Sequence, residues 1–260
     1  MQTVEINGKT FSKIVLGTNA IYGRSHFSNA RSKEYSRRCN NEYILEILET
    51  CMKYGVNTVE SSANEKIQQI IAKFHQKHQF PMQFIGNTRV DETSKMGHNE
   101  KFNFLLENKA DICVIHSQFV DRPRRKEEIR GLERLVRQIH DAGLIAGIST
   151  HKVSTVRLCE SNDYGVDVYL FPLNNTGFIY PGFEGNDSVA DRIALIQNTP
   201  KPFILMKTLG AGRIPPDEGL RFALENCKDS DIISLGLGSI EETEESLGLV
   251  REYLDTMKGG

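Results

Sequence analysis

The chain has 260 residues, with 32 Lys and Arg against 34 Asp and Glu, for a formal net charge of −2. A hydrophobic share of 39% beside 25% charged residues belongs to a folded globular domain, not to a disordered or membrane-embedded chain. The charge balance lacks the basic excess that nucleic-acid or acidic-membrane binding requires, and no run of about 18 apolar residues is present to span a bilayer.

In chain order, residues 3–6 and 10–12 flank Asn7-Gly8, a strong hairpin signal because both turn residues tolerate positive φ. Short β-rich runs then alternate with longer amphipathic ones. The strand candidates are 14–16, 58–60, 84–87, 112–116, 145–149, 168–171, 203–206 and 232–235, most of them continuously apolar. Continuous apolar runs suit parallel strands buried on both faces.

Helix ends are legible between these strands. Asn41 is placed to cap a helix carrying Ile44, Leu45, Ile47, Leu48, Cys51 and Met52, with Gly55 just past its end. Residues 126–142 carry Ile129, Leu132, Leu135, Val136 and Ile139 at helical spacing. Pro215-Pro216 opens a helix through Asn226, and Ser239-Ile240-Glu241-Glu242 has the pattern of a capping box. The basic run 122–126 is followed at once by Glu127 and Glu128, and reads as a solvated helix start.

Strict β-then-α alternation predicts a single-domain (β/α)8 barrel over residues 1–260, with an N-terminal β-hairpin. A doubly wound open sheet is the alternative, because alternation does not reveal closure. The five cysteines (Cys39, Cys51, Cys113, Cys159, Cys227) have no metal-binding spacing. With no apolar leader after Met1, a reduced cytoplasmic setting is expected.

In such a barrel the chemistry sits at the C-terminal ends of the strands. Reading outward gives Asn19, Glu60, Asn87 and Arg89, then His116, His151, Asn174, Lys207 and Ser239. His116 directly follows an apolar strand, so its imidazole should reach the rim and act near pH 7. Lys207 breaks an apolar run; it reads as a desolvated base, a Schiff-base nucleophile or the ion-pair partner of Glu60. Asn19, Asn87, Asn174 and His26, the last on the long first loop, are the candidate substrate contacts. Residues 22–40 read as either a lid or a packed loop. His75, His78, His98 and His140 read as exposed, without a role.

Two glycine clusters, Gly210-Ala211-Gly212-Arg213 and Gly236-Leu237-Gly238-Ser239, each follow a strand. Small residues there let backbone N–H groups approach an anion.

The order of motifs resembles the aldo-keto reductase superfamily over most of the chain. Residues 14–18 (IVLGT) resemble that family's first-strand LGLGT, 55–62 (GVNTVESS) its GINFFDTA, and 111–116 (DICVIH) its DLYLLH. Residues 147–150 (GIST) resemble GVSN, 206–210 (MKTLG) the SPLG segment, and 236–246 the PGASSPEQLEEN segment. The resemblance implies a barrel that binds NADP(H) and passes hydride to a carbonyl with an Asp-Tyr-Lys-His tetrad.

Position by position, only His116 matches that tetrad. Glu60 stands at the Asp, Arg89 at the Lys, and Asn64-Glu65 near the Tyr. Met206 stands where the family stacks an aromatic on nicotinamide, Leu170 where a glutamine bonds its amide, and Ser149-Thr150 where Ser-Asn would be. An acidic run around 240–245 replaces the basic residues expected at the 2′-phosphate, where negative charge repels it.

Three functions are compatible with these residues. The first is a divergent NAD(P)-linked oxidoreductase of a carbonyl or sugar-like substrate, with His116 as acid–base group and Ser149, Thr150, Gly210, Gly212, Arg213, Gly236, Gly238 and Ser239 along the cofactor. The second is a non-redox isomerase or lyase using Glu60, His116, His151 and Lys207; a divalent metal, if bound, would take Glu60, His116 and His151. The third is a non-catalytic ligand-binding barrel. All three imply a small-molecule partner.

Overall fold

A computed structural model describes residues 1–25, 27–90, 95–122, 127–178 and 187–258. β1 (Thr3–Ile6) and β2 (Lys9–Ser12) form the antiparallel hairpin, with Val4 opposite Phe11. Asn7 and Gly8 turn it at φ 46° and 78°, the two left-handed residues a type I′ turn needs.

Eight further strands are β3 (Ile14–Gly17), β4 (Thr58–Ser62), β5 (Gln83–Asn87), β6 (Ile112–Ile115), β7 (Ile145–Ser149), β8 (Val168–Pro172), β9 (Phe203–Met206) and β10 (Ile232–Gly236). They pair in parallel in the order β10-β3-β4-β5-β6-β7-β8-β9 and close into a barrel, which removes the open-sheet alternative. The helices among the described residues are α1 (Asn29–Arg38), α2 (Asn41–Lys53), α3 (Glu65–Lys77), α4 (His98–Glu107), α5 (Ser117–Val120), α6 (Leu132–Asp141), α7 (Val153–Asn162), α8 (Val189–Asn198), α9 (Pro216–Asn226) and α10 (Ile240–Lys258).

Burial divides the apolar side chains into two sets. Outward-facing strand residues such as Ile14, Val59 and Ile148 pack against the apolar stripes of the helices. Inward-facing Val15, Ile85, Ile112, Val114, Val168 and Ile204 fill the barrel interior together with Val4, Ile6 and Phe11 of the hairpin. The hairpin is thus the floor of the barrel. Its edges are tied down by Lys9 Nζ to Asp111 Oδ1 at 2.9 Å and by the Ser12 N–H to Asn57 Oδ1 at 2.7 Å.

Several boundaries differ from the sequence reading. Asn40, not Asn41, caps α2, its side chain accepting from the Tyr43 N–H at 2.9 Å. The helix expected over 126–142 begins as α6 at Leu132, because Gly131 at φ 81° turns the chain immediately before it. Of the basic run, 123–126 lie outside the described residues, as does His26. Residues 29–38 of the first loop form helix α1, whose Tyr35 is buried. The five cysteines are free thiols, and burial pushes Cys51 and Cys113 up to about 12.

Gly8→Ala tests the floor. A Cβ there meets nothing within 4 Å, so its whole cost is left-handed backbone, and urea unfolding should show a loss of about 1 kcal/mol.

Candidate active site

The strands end together on one rim, where their last residues line a cavity of about 250 Å³. Of the residues singled out from the sequence, Asn19, Glu60, Asn87, Arg89, His116, Ser149, His151 and Lys207 line it. Thr18, Ser61, Ser62, Gln118, Leu170 and Met206 complete the wall.

Glu60 is the middle residue of β4, half-buried. Its Oε1 accepts from Asn87 Nδ2 at 2.7 Å and its Oε2 from Ser234 Oγ at 3.4 Å. Burial drives the carboxyl above its ordinary range, and Asn87, the Arg89 guanidinium and Ser234 offset only part of that rise. The cation whose field acts on Glu60 is Arg89, next to β5.

Arg89 is set in place through its backbone. The Ser62 Oγ donates to the Arg89 carbonyl at 3.0 Å and accepts from Lys101 Nζ at 2.7 Å. Lys101 is fully buried and also donates to the Ala63 carbonyl at 2.8 Å. The Arg89 N–H donates to Asn87 Oδ1 at 3.1 Å, and its Nη1 to Asn19 Oδ1 at 3.1 Å. Asn87 thus orients the carboxyl and the Arg89 backbone, while Asn19 holds the guanidinium.

His116 lies just beyond β6 and caps α5. Its Nδ1 accepts from the Gln118 N–H at 3.3 Å, so in the neutral ring the proton is on Nε2. Burial, then the field of Arg89, pulls its pKa down to about 3. The expectation of an imidazole poised near pH 7 does not hold: at neutral pH the ring is an uncharged hydrogen-bonding group. His98, read as exposed, is half-buried and bonded to Thr88 Oγ1 at 3.0 Å. That oxygen accepts from the His116 N–H at 3.0 Å. His151 is likewise pulled down to about 3, by burial and then by Lys207, and its ring centroid lies 4.8 Å from that of Phe178.

Lys207 follows β9 in the left-handed region at φ 60°, a conformation that costs a non-glycine residue roughly 1 kcal/mol. Asn174 holds it there, its Nδ2 donating to the Lys207 carbonyl at 2.9 Å and to the Phe178 carbonyl. The other end of that amide accepts from Thr176 N–H and Oγ1 at 3.0 and 2.9 Å. Asn174, expected to touch substrate, is fully buried in this turn and lies outside the cavity wall. The Lys207 ammonium sits 4.3 Å from the Phe178 ring centroid.

A second cavity of about 390 Å³ shares Asn19, Glu60, Met206 and Lys207 with the first and extends past Gly212 and Gly236 to Arg31, Tyr35 and Glu242. Of the eight residues expected along a nicotinamide nucleotide, Gly212 and Gly236 line this groove. Its far end is already occupied by a carboxylate. Glu242 Oε2 accepts from the Gly238 N–H at 2.8 Å, while Oε1 accepts from Arg31 Nη2 at 2.7 Å and the Tyr35 hydroxyl at 2.8 Å. Burial and Glu242 raise the Tyr35 hydroxyl to about 12. The Tyr35 ring covers Gly238 so closely that a Cβ there would fall 2.5 Å from it.

The other glycine cluster is also turned inward. The N–H groups of Gly210, Gly212 and Arg213 donate to the carbonyls of Lys207 and Leu209 at 2.8 to 3.1 Å. Ser239 Oγ accepts from the Glu242 N–H at 3.1 Å, and Thr150 Oγ1 donates to Asp121 Oδ1 at 2.6 Å. The N–H groups of Gly210, Gly212, Arg213 and Gly238 are therefore already bonded within the protein. These residues do not fit the phosphates of NAD(P).

Nor does the conditional metal site form. Glu60, His116 and His151 share the cavity wall, but among the described residues no three His, Cys, Asp or Glu side chains converge as metal ligands. No helix among the described residues is long and apolar enough to cross a membrane.

The residues that sequence reasoning passed over are Ser62, Thr88, His98, Lys101, Ser234, and the trio Arg31, Tyr35 and Glu242. Only Glu242 carried a signal, as the acidic partner in the capping pattern.

Searches by sequence find no matching family model and no matching curated protein. The fold is shared with aldo-keto reductases. A Pseudomonas aeruginosa chain assigned to that group aligns with a TM-score of 0.66 at 12% identity, over 98% of this chain and 94% of its own. The holo form of a Bacillus halodurans aldo-keto reductase gives 0.64 at 11%, over 96% and 91%. A Thermotoga maritima phospho-2-dehydro-3-deoxyheptonate aldolase gives 0.58 at 12%, over 98% and 74%. Such neighbours share an architecture, and an architecture alone does not choose a reaction.

The depressed imidazoles make acid stability a test of the site. An unfolded histidine takes up its proton near 6.5, whereas His116 and His151 do so only near 3 when folded. Between those values the unfolded chain binds more protons, so stability falls as pH drops from about 6.5 towards 3. Glu60, raised, works in the opposite sense above the ordinary carboxylate range. In urea unfolding across pH 4 to 7, replacing both histidines by Gln should flatten the slope by up to about two protons.

Proposed function

We propose that this chain is a small-molecule enzyme that moves a proton at a carbon next to a carbonyl, in an isomerisation or β-elimination. One observation carries the reading: a carboxyl pushed up and an imidazole pushed down line the same cavity of about 250 Å³. Titratable groups driven apart by their surroundings mark acid–base assignments.

Glu60 is the base. Its raised pKa brings it closer to neutrality, where a carboxylate is a better proton acceptor, while Asn87 and Ser234 fix its two oxygens. The substrate carbon gives its proton to Glu60, and the electron pair moves onto the carbonyl oxygen. His116, neutral and protonated on Nε2, donates to that oxygen without having to ionise. The Lys207 ammonium supports the developing negative charge from the β9 side. In an isomerisation the proton returns to the former carbonyl carbon while the neighbouring hydroxyl passes its own proton to the enediolate oxygen and becomes the new carbonyl. In a β-elimination the group on the β-carbon leaves with its bonding pair and the carbonyl is restored.

The test is solvent deuterium exchange at the α-carbon of small hydroxyketones and oxo acids, followed by NMR. Glu60→Gln should abolish the enzyme-dependent exchange, and His116→Ala should slow it by about 10²- to 10⁴-fold. Exchange that persists in Glu60→Gln would overturn the assignment of the base.

A second reading, NAD(P)-linked oxidoreduction of a carbonyl or sugar-like substrate, draws support from the groove of about 390 Å³ that adjoins the same residues, and from the shared fold. Against it stand the Gly238 amide bonded to Glu242 and the covering Tyr35 ring. NADH and NADPH should produce no saturable fluorescence enhancement at millimolar concentration. Saturable binding would restore the redox reading.

A further inference from the structure

Proton transfer at Glu60 uses only one end of the groove of about 390 Å³. That groove adjoins the mouth cavity along the residues common to both walls, Asn19, Glu60, Met206 and Lys207. A molecule whose reacting end lies beside Glu60 therefore has a path into it. The volume is present while Arg31 and Tyr35 are bonded to Glu242, so α1 does not have to move to admit an occupant.

The three glycines of the described groove wall, Gly17, Gly212 and Gly236, are not equally accounted for by the protein itself. At Gly17 a Cβ would fall 2.9 Å from Ser234 Oγ and 3.2 Å from the Leu235 carbonyl oxygen, and Gly212 adopts φ 87°. Gly236, the last residue of β10, meets neither demand. Its backbone lies outside the left-handed region, it is exposed, and a Cβ there would meet nothing within 4 Å. Glycine in a strand loses packing and costs conformational entropy, and close approach of a ligand is one reason for its presence. Two residues on, the Tyr35 ring covers Gly238. The open floor thus runs from the mouth past Gly236 and ends at Tyr35.

The wall also limits the chemistry of an occupant. Beyond the shared residues, its described charged side chains are Arg24, Arg31, Glu242 and Glu245, acids and bases in equal number. Arg31 and Glu242 are joined at 2.7 Å. Such a wall selects no net charge, and the amides of Gly210, Gly212, Arg213 and Gly238 are bonded within the protein. What the groove offers is apolar surface from Leu209, Ile214, Leu235 and Leu237, where burial of apolar area supplies the binding energy. A volume of about 390 Å³ equals the share of roughly a dozen water molecules in the liquid.

We propose that the groove binds the tail of the substrate itself, an uncharged aryl or alkyl substituent that lies across Gly236 and is carried by the carbonyl compound reacting at Glu60. This deepens the proton-transfer reading and rests on it for the reacting end, whereas recognition of the tail is measured by binding alone.

The experiment is calorimetric titration of the whole chain with hydroxyacetone, with 1-hydroxy-4-phenylbutan-2-one, and with the analogue of the latter that carries a para-carboxylate on its ring. The phenyl compound should bind at least about tenfold more tightly than hydroxyacetone, and the carboxylate analogue should lose most of that gain. A side chain at Gly236 enters open space, so Gly236→Phe should fill the groove and erase the preference for the phenyl compound, while Gly236→Ala should keep most of it. A phenyl compound that binds the wild-type chain no better than hydroxyacetone would overturn the proposal, and that comparison needs no variant to fold. A full preference in folded Gly236→Phe would also overturn it, by placing the tail elsewhere, as would tighter binding of the carboxylate analogue than of the phenyl compound. A tail preference without α-proton exchange would leave the groove assignment standing and remove the proton-transfer reading. Exchange without a tail preference would remove the groove assignment alone.

Discussion

The structure depends on one constraint: the barrel interior is a continuous apolar column closed at its lower end. Val4, Ile6 and Phe11 of the hairpin pack beneath the inward-facing side chains of the strands and close the column at that end. Every polar group at the strand ends is therefore desolvated from below, whatever its neighbours. The hairpin in this way sets the medium around the side chains of the rim.

That medium acts on each ionisable group according to the sign of its charge. Burial raises a carboxyl and lowers an imidazole, because in both cases the uncharged form is favoured. Glu60, His116 and His151 obey this rule within one cavity, and the cations Arg89 and Lys207 add to the effect on the histidines. The mouth thus carries groups that are neutral or easily neutralised beside two that are not. Hydrogen-bonded asparagines divide the labour: Asn87 serves Glu60 and Arg89, while Asn174 serves the backbone of Lys207.

Much of this was legible from the chain alone. Apolar runs gave the eight strands, because a parallel strand buried on both faces has no polar alternation to hide it. The strand-end rule then gave Glu60, Asn87, Arg89, His116, His151 and Lys207 without any spacing motif. What was not legible is what depends on distant contacts. The ionisation of His116 reflects packing and Arg89, neither adjacent in sequence. The inward role of Asn174 comes from a left-handed turn at Lys207 that no local pattern announces. The closure of the groove joins Tyr35 and Glu242 across 207 positions of chain, and a basic residue in α1 meeting an acid in α10 leaves no trace in either segment. The glycine clusters misled for a related reason: small residues permit a backbone to approach an anion, but equally permit a tight turn that satisfies itself.

The backbone at Lys207 has one further consequence. At φ 60° the position would be occupied at least cost by glycine or asparagine, yet it carries a long basic side chain. The left-handed backbone is a cost at this residue, and the turn held by Asn174 is built to absorb it. Selection for thermostability alone would drift away from lysine here. On the proposed reading, stability and activity draw the sequence in opposite directions at this residue, and stabilised variants recovered without a screen for function should be expected to lose this side chain early.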